Sequence, residues 1–210
     1  VPGVKPKTNR GELALKYMDS SGLGSSGATD LVYNGDRSEA NLAYAGNKLC
    51  VVTVDSVFGG YSGAKPLNDG FYATFDNHDQ DNWATEAWAS LDDKKKDHWI
   101  QFAFKAEQQI SRVIVYWAVD NGSIFSARDA YVEAWIDDEW VKVAEYSWEG
   151  HLTQQNSTVF EFDTVTTERI RVVQPKNRGD ATTEGVEGST TYSGLMWVSE
   201  VEIYKDKANA

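Results

Sequence analysis

From residue 49 onward the chain alternates short apolar runs with polar, turn-rich stretches, and the runs have the two-residue period of strands. Residues 49–57 are largely β-branched. In 99–104 the side chains of Ile100, Phe102 and Phe104 share one face, which predicts a half-buried strand. Residues 112–119 are nearly continuous in apolar character, as expected of a strand covered on both faces. Segments 131–136 and 140–143 flank Asp137-Asp138-Glu139, a hairpin signal. Segments 159–162, 170–174 and 198–204 bring the total to about eight strands with no helical pattern between them, so the expected fold is an all-β, antiparallel jelly-roll sandwich. Four long polar loops, 76–97, 120–129, 147–157 and 176–193, interrupt the strands. Loops of that length in a compact domain are where function is sought.

Residues 1–48 have no sustained periodicity and carry breakers at Pro2, Pro6 and the Ser/Gly-rich run 20–27. They read as an irregular extension or linker resting on the main body through Leu13, Leu15, Tyr17, Leu31, Val32 and Tyr33, followed by a sandwich over 49–206 and a tail at 207–210. Eight Trp, ten Tyr and eight Phe against two Met reinforce the strand reading, because planar side chains pack well on pleated surfaces. The balance of 32 acidic to 20 basic side chains, net −12, repels phosphate backbones and anionic headgroups, which argues against nucleic acid and membrane insertion. One cysteine, Cys50, excludes an internal disulfide. No apolar run approaches the roughly 20 residues that cross a bilayer, and no leader precedes Val1, so the chain is expected to be soluble as given, a mature or trimmed form.

Two distant stretches read as halves of one site. Leu67-Asn68-Asp69-Gly70, with Thr74 behind it, is a turn whose glycine permits positive φ. Ser199-Glu200-Val201-Glu202 lies on the last strand. If that strand returns beside the turn, Asp69, Thr74 and Glu200 converge with loop carbonyls into an oxygen cage suited to Ca²⁺. The bland alternative is a tight turn and an edge strand with a solvated glutamate.

The region 49–206 resembles the discoidin, or coagulation-factor type C, domain family, and within it the family 32 carbohydrate-binding modules. The resemblance is carried in order by Leu67-Asn68-Asp69-Gly70, Trp99-Ile100-Gln101-Phe102, Ile110-Ser111-Arg112-Val113 with Val115-Tyr116-Trp117, Tyr131-Val132-Glu133-Ala134-Trp135, Arg169 to Gln174, and Ser199 to Tyr204. It implies a galactose-binding-domain-like jelly roll with a structural Ca²⁺ and a sugar site in the loops at one end. Asp69, Thr74 and Glu200 fall on side-chain ligands of the metal, while Pro66, Phe71 and Ser199 offer carbonyls; some members place an oxygen-bearing side chain where Phe71 stands. The resemblance also implies an extracellular or cell-surface location, in a secreted bacterial protein, and an attached or associated glycoside hydrolase.

A sugar presents apolar C–H faces and a ring of hydroxyls, so its site needs an aromatic platform and a few fixed polar groups. One loop offers His78, Asn82, Trp83 and Trp88; a second offers Asp120, Asn121, Phe125 and Arg128; Tyr192 and Trp197 flank the last strand. Trp99, Trp117, Trp135 and Trp197 are expected in or beside strands as core residues. Arg128 has the competing reading of an ion pair with Asp129 or Glu133. His78, His98 and His151 lack zinc-ligand spacing, no nucleophile elbow surrounds a serine, and residues 76–81 lack the glycine and terminal glutamate of an EF-hand, so catalysis is not required by any motif. Arg178-Gly179-Asp180 and the acceptor patterns at Asn121 and Asn156 are permissive short motifs. The expected function is a non-catalytic carbohydrate-binding module that targets a larger protein to glycan. The alternatives are a protein or cell-surface adhesion module and a sandwich-fold glycan hydrolase.

Overall fold

The computed structural model describes residues 35–147, 155–179 and 194–205. The expected contacts of Leu13, Leu15, Tyr17, Leu31, Val32 and Tyr33, together with Tyr192 and the tail 207–210, lie outside the described residues. Within them the strands are β1 (Cys50–Val54), β2 (Trp88–Ala89), β3 (His98–Trp117), β4 (Val119–Asp120), β5 (Ser123–Ile124), β6 (Asp129–Ile136), β7 (Glu139–Ser147), β8 (Ser157–Gln174) and β9 (Trp197–Tyr204). Every pairing is antiparallel, and the chain forms the all-β sandwich that its alternation predicts.

The expected strands at 99–104 and 112–119 are one strand, β3, and those at 159–162 and 170–174 are one strand, β8. β3 and β8 pair along both halves, with register shifts between Ala103 and Gln108 and between Ile110 and Arg112. On one half, β1 joins β3 while β6 and then β7 join β8; on the other, β9 and then β2 join β3. Ile100 and Phe102 from the first half share one buried cluster with Val113, Val115 and Trp117 from the second. The ribbon therefore bends at the irregular stretch and folds back into two layers, a change of direction that bulges permit. Each large apolar side chain fully buried there contributes about 1.5–3 kcal/mol.

Burial follows the sequence pattern closely in β3. Residues 98–104 alternate between buried and partly exposed, whereas in the second half even the outward-facing Ile114 and Tyr116 are covered, by Tyr72 and Tyr204. The β6–β7 turn holds Asp137 at φ 51° and Asp138 at φ 62°, the left-handed pair of a two-residue hairpin. Three features of the expected loops were not visible as periodicity. Trp88–Ala89 pairs with β9, β4 and β5 form a tiny hairpin through Asn121-Gly122, and Trp83–Glu86 is a four-residue helix, α1.

The core also extends upstream of residue 49. Leu42 and Ala43 are buried in the same cluster, the Leu42 amide donates to the Ile203 carbonyl, and the Ile203 amide donates to the side chain of the fully buried Asn41. Residues 41–43 are thus part of the sandwich rather than of an extension. Among the described residues no helix is long and apolar enough to cross a membrane.

Candidate functional site

The two stretches read as one site do come together. A 3-10 turn, Lys65–Asn68, with Pro66 near its start, delivers Asp69, and Gly70 follows at φ 86°. A side chain at Gly70 would be strained by that φ and would meet the Cγ of Arg37 at 2.8 Å, so glycine is required. Asp69 Oδ1 accepts the Phe71 amide at 2.9 Å, closing an Asx turn. Glu200, on β9, accepts the Gly70 amide at 3.3 Å.

The solvated-glutamate alternative is overturned: β9 lies between β2 and β3, and Glu200 and Glu202 are both fully buried. Their environments differ. Glu202 accepts hydrogen bonds from the Tyr116 and Tyr204 hydroxyls and the Asp36 amide, whereas Glu200 Oε2 is buried with no hydrogen-bond partner among the described residues. Burial, reinforced by the charges of Asp69 and Glu202, pushes the Glu200 carboxyl well above its ordinary value. Burial likewise pushes Asp69 up to about 7, although the Phe71 amide and the charges of Arg37 and Lys65 pull the other way. Two buried carboxylates whose burial outweighs the pull of Arg37 and Lys65 fit a hard cation. Among the described residues no group of three or more His, Cys, Asp and Glu is poised for a metal, so any cation here depends on hydroxyl and carbonyl donors as well.

The register places an extra residue, Ser199, opposite the step from Tyr116 to Trp117, a bulge that turns its side chain inward. Ser199 Oγ accepts the Ala73 amide and donates to the Glu86 carbonyl, so the same bulge ties the Asp69 segment to α1.

The loops at 76–90 and 120–129 also converge. His78 Nδ1 lies 2.6 Å from Glu86 Oε2, and its Nε2 lies 3.5 Å from Asp120 Oδ1. The Gln80 amide donates to Asn121 Oδ1 at 2.9 Å. The loop is braced from within: Glu86 Oε1 accepts the Asp79 amide, Asp79 accepts the Asn82 side chain, and the His78 amide donates to the Thr74 carbonyl. Hydrogen bonds from the Asn82 side chain and the Asp81 amide hold Asp79 below the usual carboxylate range. Beside this network stands an aromatic group. Trp83, 39% exposed, meets Tyr61 edge-on at 4.7 Å between centroids, and Tyr61 continues to Phe58 and Trp197.

Three expected ligand positions are corrected. Trp88 is completely buried and donates its indole N–H to the Ser56 carbonyl, so it is a core residue of β2. Phe125 is buried with its ring 4.6 Å from that of Trp197, and forms the wall behind the aromatic group. Arg128 donates to the carbonyls of Gly179 and Asn177, while Arg178 takes Asp129, so neither expected pairing of Arg128 forms and its guanidinium serves the loop itself. That engagement also ties down Arg178 of the Arg-Gly-Asp motif, whose Asp180 lies outside the described residues. Asn156 is buried and donates to the Ala73 and Trp117 carbonyls, which removes it as a glycan acceptor.

Glu86 and Tyr61 are the site residues that sequence reasoning missed. Glu86 sits in an unremarked Trp-Ala-Thr-Glu stretch; its spacing of three from Trp83, which puts both on one side of a helical turn, was the available signal.

The family profile of the F5/8 type C domain matches residues 57–187. No curated protein matches the chain. Among solved structures, a variant of chitosan-binding module 1 from a chitosanase/glucanase of Paenibacillus sp. IK-5 superposes with a TM-score of 0.52 at 17% identity, covering 79% of this chain and 98% of that one. The family 32 carbohydrate-binding module of NanJ from C. perfringens, solved in complex with galactose, gives a TM-score of 0.51 at 13% identity over 74% of this chain and 93% of its own. A GH29 fucosidase from Ruminococcus gnavus gives 0.51 at 20% identity, over 80% of this chain but 27% of the enzyme. At these identities the structural likeness speaks to the fold. The profile match is different in kind, because it takes in more than half of the sequence: the chain belongs to the F5/8 type C domain family.

Proposed function

We propose that this chain is a non-catalytic carbohydrate-binding module that targets or anchors an extracellular protein, such as a glycoside hydrolase, to glycan through the 76–90 and 120–129 loops. The observation that carries the reading is the meeting of those loops at His78 and Asp120, the first of them also carrying the 39% exposed Trp83. Together they supply an aromatic platform and fixed polar groups, the two things a sugar site needs. The names of the structural neighbours, a chitosan-binding module and a galactose-bound module, support the same ligand class. The fucosidase supports attachment to an enzyme, since the fold matches a fraction of its length.

A shallow site for one or two sugar units binds weakly, with Kd in the micromolar to millimolar range, about −4 to −8 kcal/mol, and tethering to a partner supplies avidity. Asp69, Thr74 and Glu200, with the carbonyls of Pro66, Phe71 and Ser199, would hold a structural Ca²⁺ that links the first loop to the last strand. That cation would neutralise the buried carboxylates and so fix the bulge from which Ser199 supports α1.

A thermal-shift panel of galactose, N-acetylglucosamine, N-acetylgalactosamine, arabinose, xylose and uronic acids tests the reading. A ligand specific to the native state raises Tm above its Kd by mass action. One responding sugar supports the module and names its class, with the response expected to disappear in Trp83→Ala. No response at high concentration moves the assignment to a protein partner.

A further inference from the structure

Residues 74–85 carry His78, Asn82 and Trp83, and none of them is buried, whereas the residues that bound the stretch, Ala73 and Glu86, are 2% and 1% exposed. A segment with no core of its own takes its direction from what holds its ends. Here both ends meet at one atom. Ser199 Oγ accepts the Ala73 amide at 2.9 Å and donates its single hydrogen to the Glu86 carbonyl at 2.7 Å, so the hydroxyl is used in both its capacities. Ser199 itself is completely buried and out of a ligand's reach. Each end is fixed again on its other side. The Ala73 carbonyl accepts the Asn156 side chain at 2.7 Å, and β2, just after Glu86, pairs with β9.

We propose that Ser199 is a positioning residue of the candidate sugar site: its hydroxyl closes the neck of the 74–85 loop and orients His78 and Trp83 toward a ligand it never touches. The inference rests on the carbohydrate-binding reading of the loops and adds the residue that aims one of them. The bonds inside the loop run from the His78 amide to the Thr74 carbonyl, from Asn82 to Asp79, and from Thr85 to Asn82. They hold its shape and not its direction relative to the sandwich. Its outward links, from Ser62 to the Ala84 carbonyl and from Gln80 to Asn121, lie at exposed positions where water competes. At the neck water does not compete. Without the hydroxyl, a buried amide and a buried carbonyl lose their partner, and the neck must open to satisfy them. A ligand would then have to order the loop as it binds, and its affinity falls.

Thr167 supplies a matched control, because its hydroxyl also bridges buried backbone groups but joins β8 to β6: it accepts the Arg169 amide at 3.1 Å and lies 2.7 Å from the Trp135 carbonyl. Ser199→Ala and Thr167→Val each remove one such hydroxyl from the intact chain, and both should lower the urea midpoint. Only Ser199→Ala should speed amide hydrogen exchange at His78, Asp79, Asn82 and Thr85, by roughly tenfold or more. Only Ser199→Ala should also weaken calorimetric binding of galactose or N-acetylglucosamine trimer, by roughly three- to tenfold. Ser199→Cys, which keeps a weak donor and acceptor, should fall between the wild type and alanine, and it carries the comparison if the alanine variant does not fold. Unchanged exchange in the loop, or the same change in Thr167→Val, would overturn the inference and leave Ser199 as a brace of the sandwich. Faster exchange with unchanged affinity for a sugar that the wild type binds would overturn it too, since the loop's direction would not set recognition. Binding of neither sugar by the wild type, with no response in the thermal panel, would remove the module reading itself, and the exchange data would still decide whether Ser199 closes the loop.

Discussion

Two histidines in this molecule each face a carboxylate through Nδ1, and they are not equivalent. His98 is fully buried at the start of β3, its Nδ1 2.8 Å from Asp55 and its Nε2 3.2 Å from the Asp93 carbonyl. Asp55 is satisfied in turn, accepting the Trp99 amide and the Ser56 hydroxyl. His78 has its Nδ1 on Glu86, but its Nε2 is buried without a hydrogen bond, 3.5 Å from Asp120 Oδ1. A closed network holds β1 to β3; an open one has a valence to offer. The contrast separates structural from functional polar groups without appeal to residue type, and Glu202 and Glu200, two residues apart on β9, repeat it.

The largest effect expected from this contrast is on the closed side. Asp55→Ala removes the acceptor of His98, the Trp99 amide and the Ser56 hydroxyl at once, and should cost about 3 kcal/mol in urea unfolding. The pair also carries a pH signature. Burial alone would raise Asp55, but the bonds from His98, Trp99 and Ser56 outweigh it and hold the carboxyl below its ordinary value of 3.8. A depressed carboxyl stabilises the fold above its unfolded value, and the contribution disappears as pH falls through the folded one. Wild-type stability should therefore drop below about pH 4 with a component missing from Asp55→Asn, and superimposable acid profiles would show that the network carries no such linkage.

An intermediate effect is expected at Glu200. If Ca²⁺ occupies the Asp69–Glu200 pair, then at a hundred times its Kd it adds about 2.7 kcal/mol of stability relative to chelator. Glu200→Gln should lose most of that calcium response while removing a carboxyl whose ionisation burial opposes, so its Tm in EDTA should equal or exceed that of the wild type. A wild-type Tm identical in Ca²⁺ and EDTA would mean that the open carboxylate has no cation to offer itself to, and the parallel with His78 would fail.

How far the sequence carries this distinction depends on the range of the physics. Strand alternation is local, so Ile100, Phe102 and Phe104 announced their face directly, and the apolar run around Val113 and Val115 announced a doubly covered strand. The Asn-Asp-Gly turn was legible for the same reason, since one glycine at positive φ is a property of its own residue. Partner choice is not local. Nothing near Trp88 in the sequence says that it pairs with Val198 and reaches Ser56, and nothing near Arg128 says that its guanidinium closes on the 177–179 carbonyls. The joining of two expected strands into β3 was hidden because residues 105–109 are polar apart from Ala106, and a polar bulge at a sandwich corner looks like a loop. Glu86 was missed because its importance lies wholly in a histidine eight residues earlier, brought back by a four-residue helix too short to show a period.

The smallest expected effect is also the most discriminating. His78→Gln retains a side-chain N–H for Glu86 and removes only the ring, so the fold should lose no more than about 1 kcal/mol, against about three times that at Asp55. Calorimetric titration with whichever sugar responds should nevertheless show binding weakened by roughly tenfold or more, because the unpartnered Nε2 is gone. A variant that unfolds as readily as Asp55→Ala would show that His78 is a brace for the 76–90 loop, with its second nitrogen merely buried. A variant of near wild-type stability and unchanged affinity would move the recognition to Trp83 and Asp120 alone. Only the combination of an intact fold and a weakened ligand keeps the two histidines on opposite sides of the line between holding the molecule together and presenting it to something else.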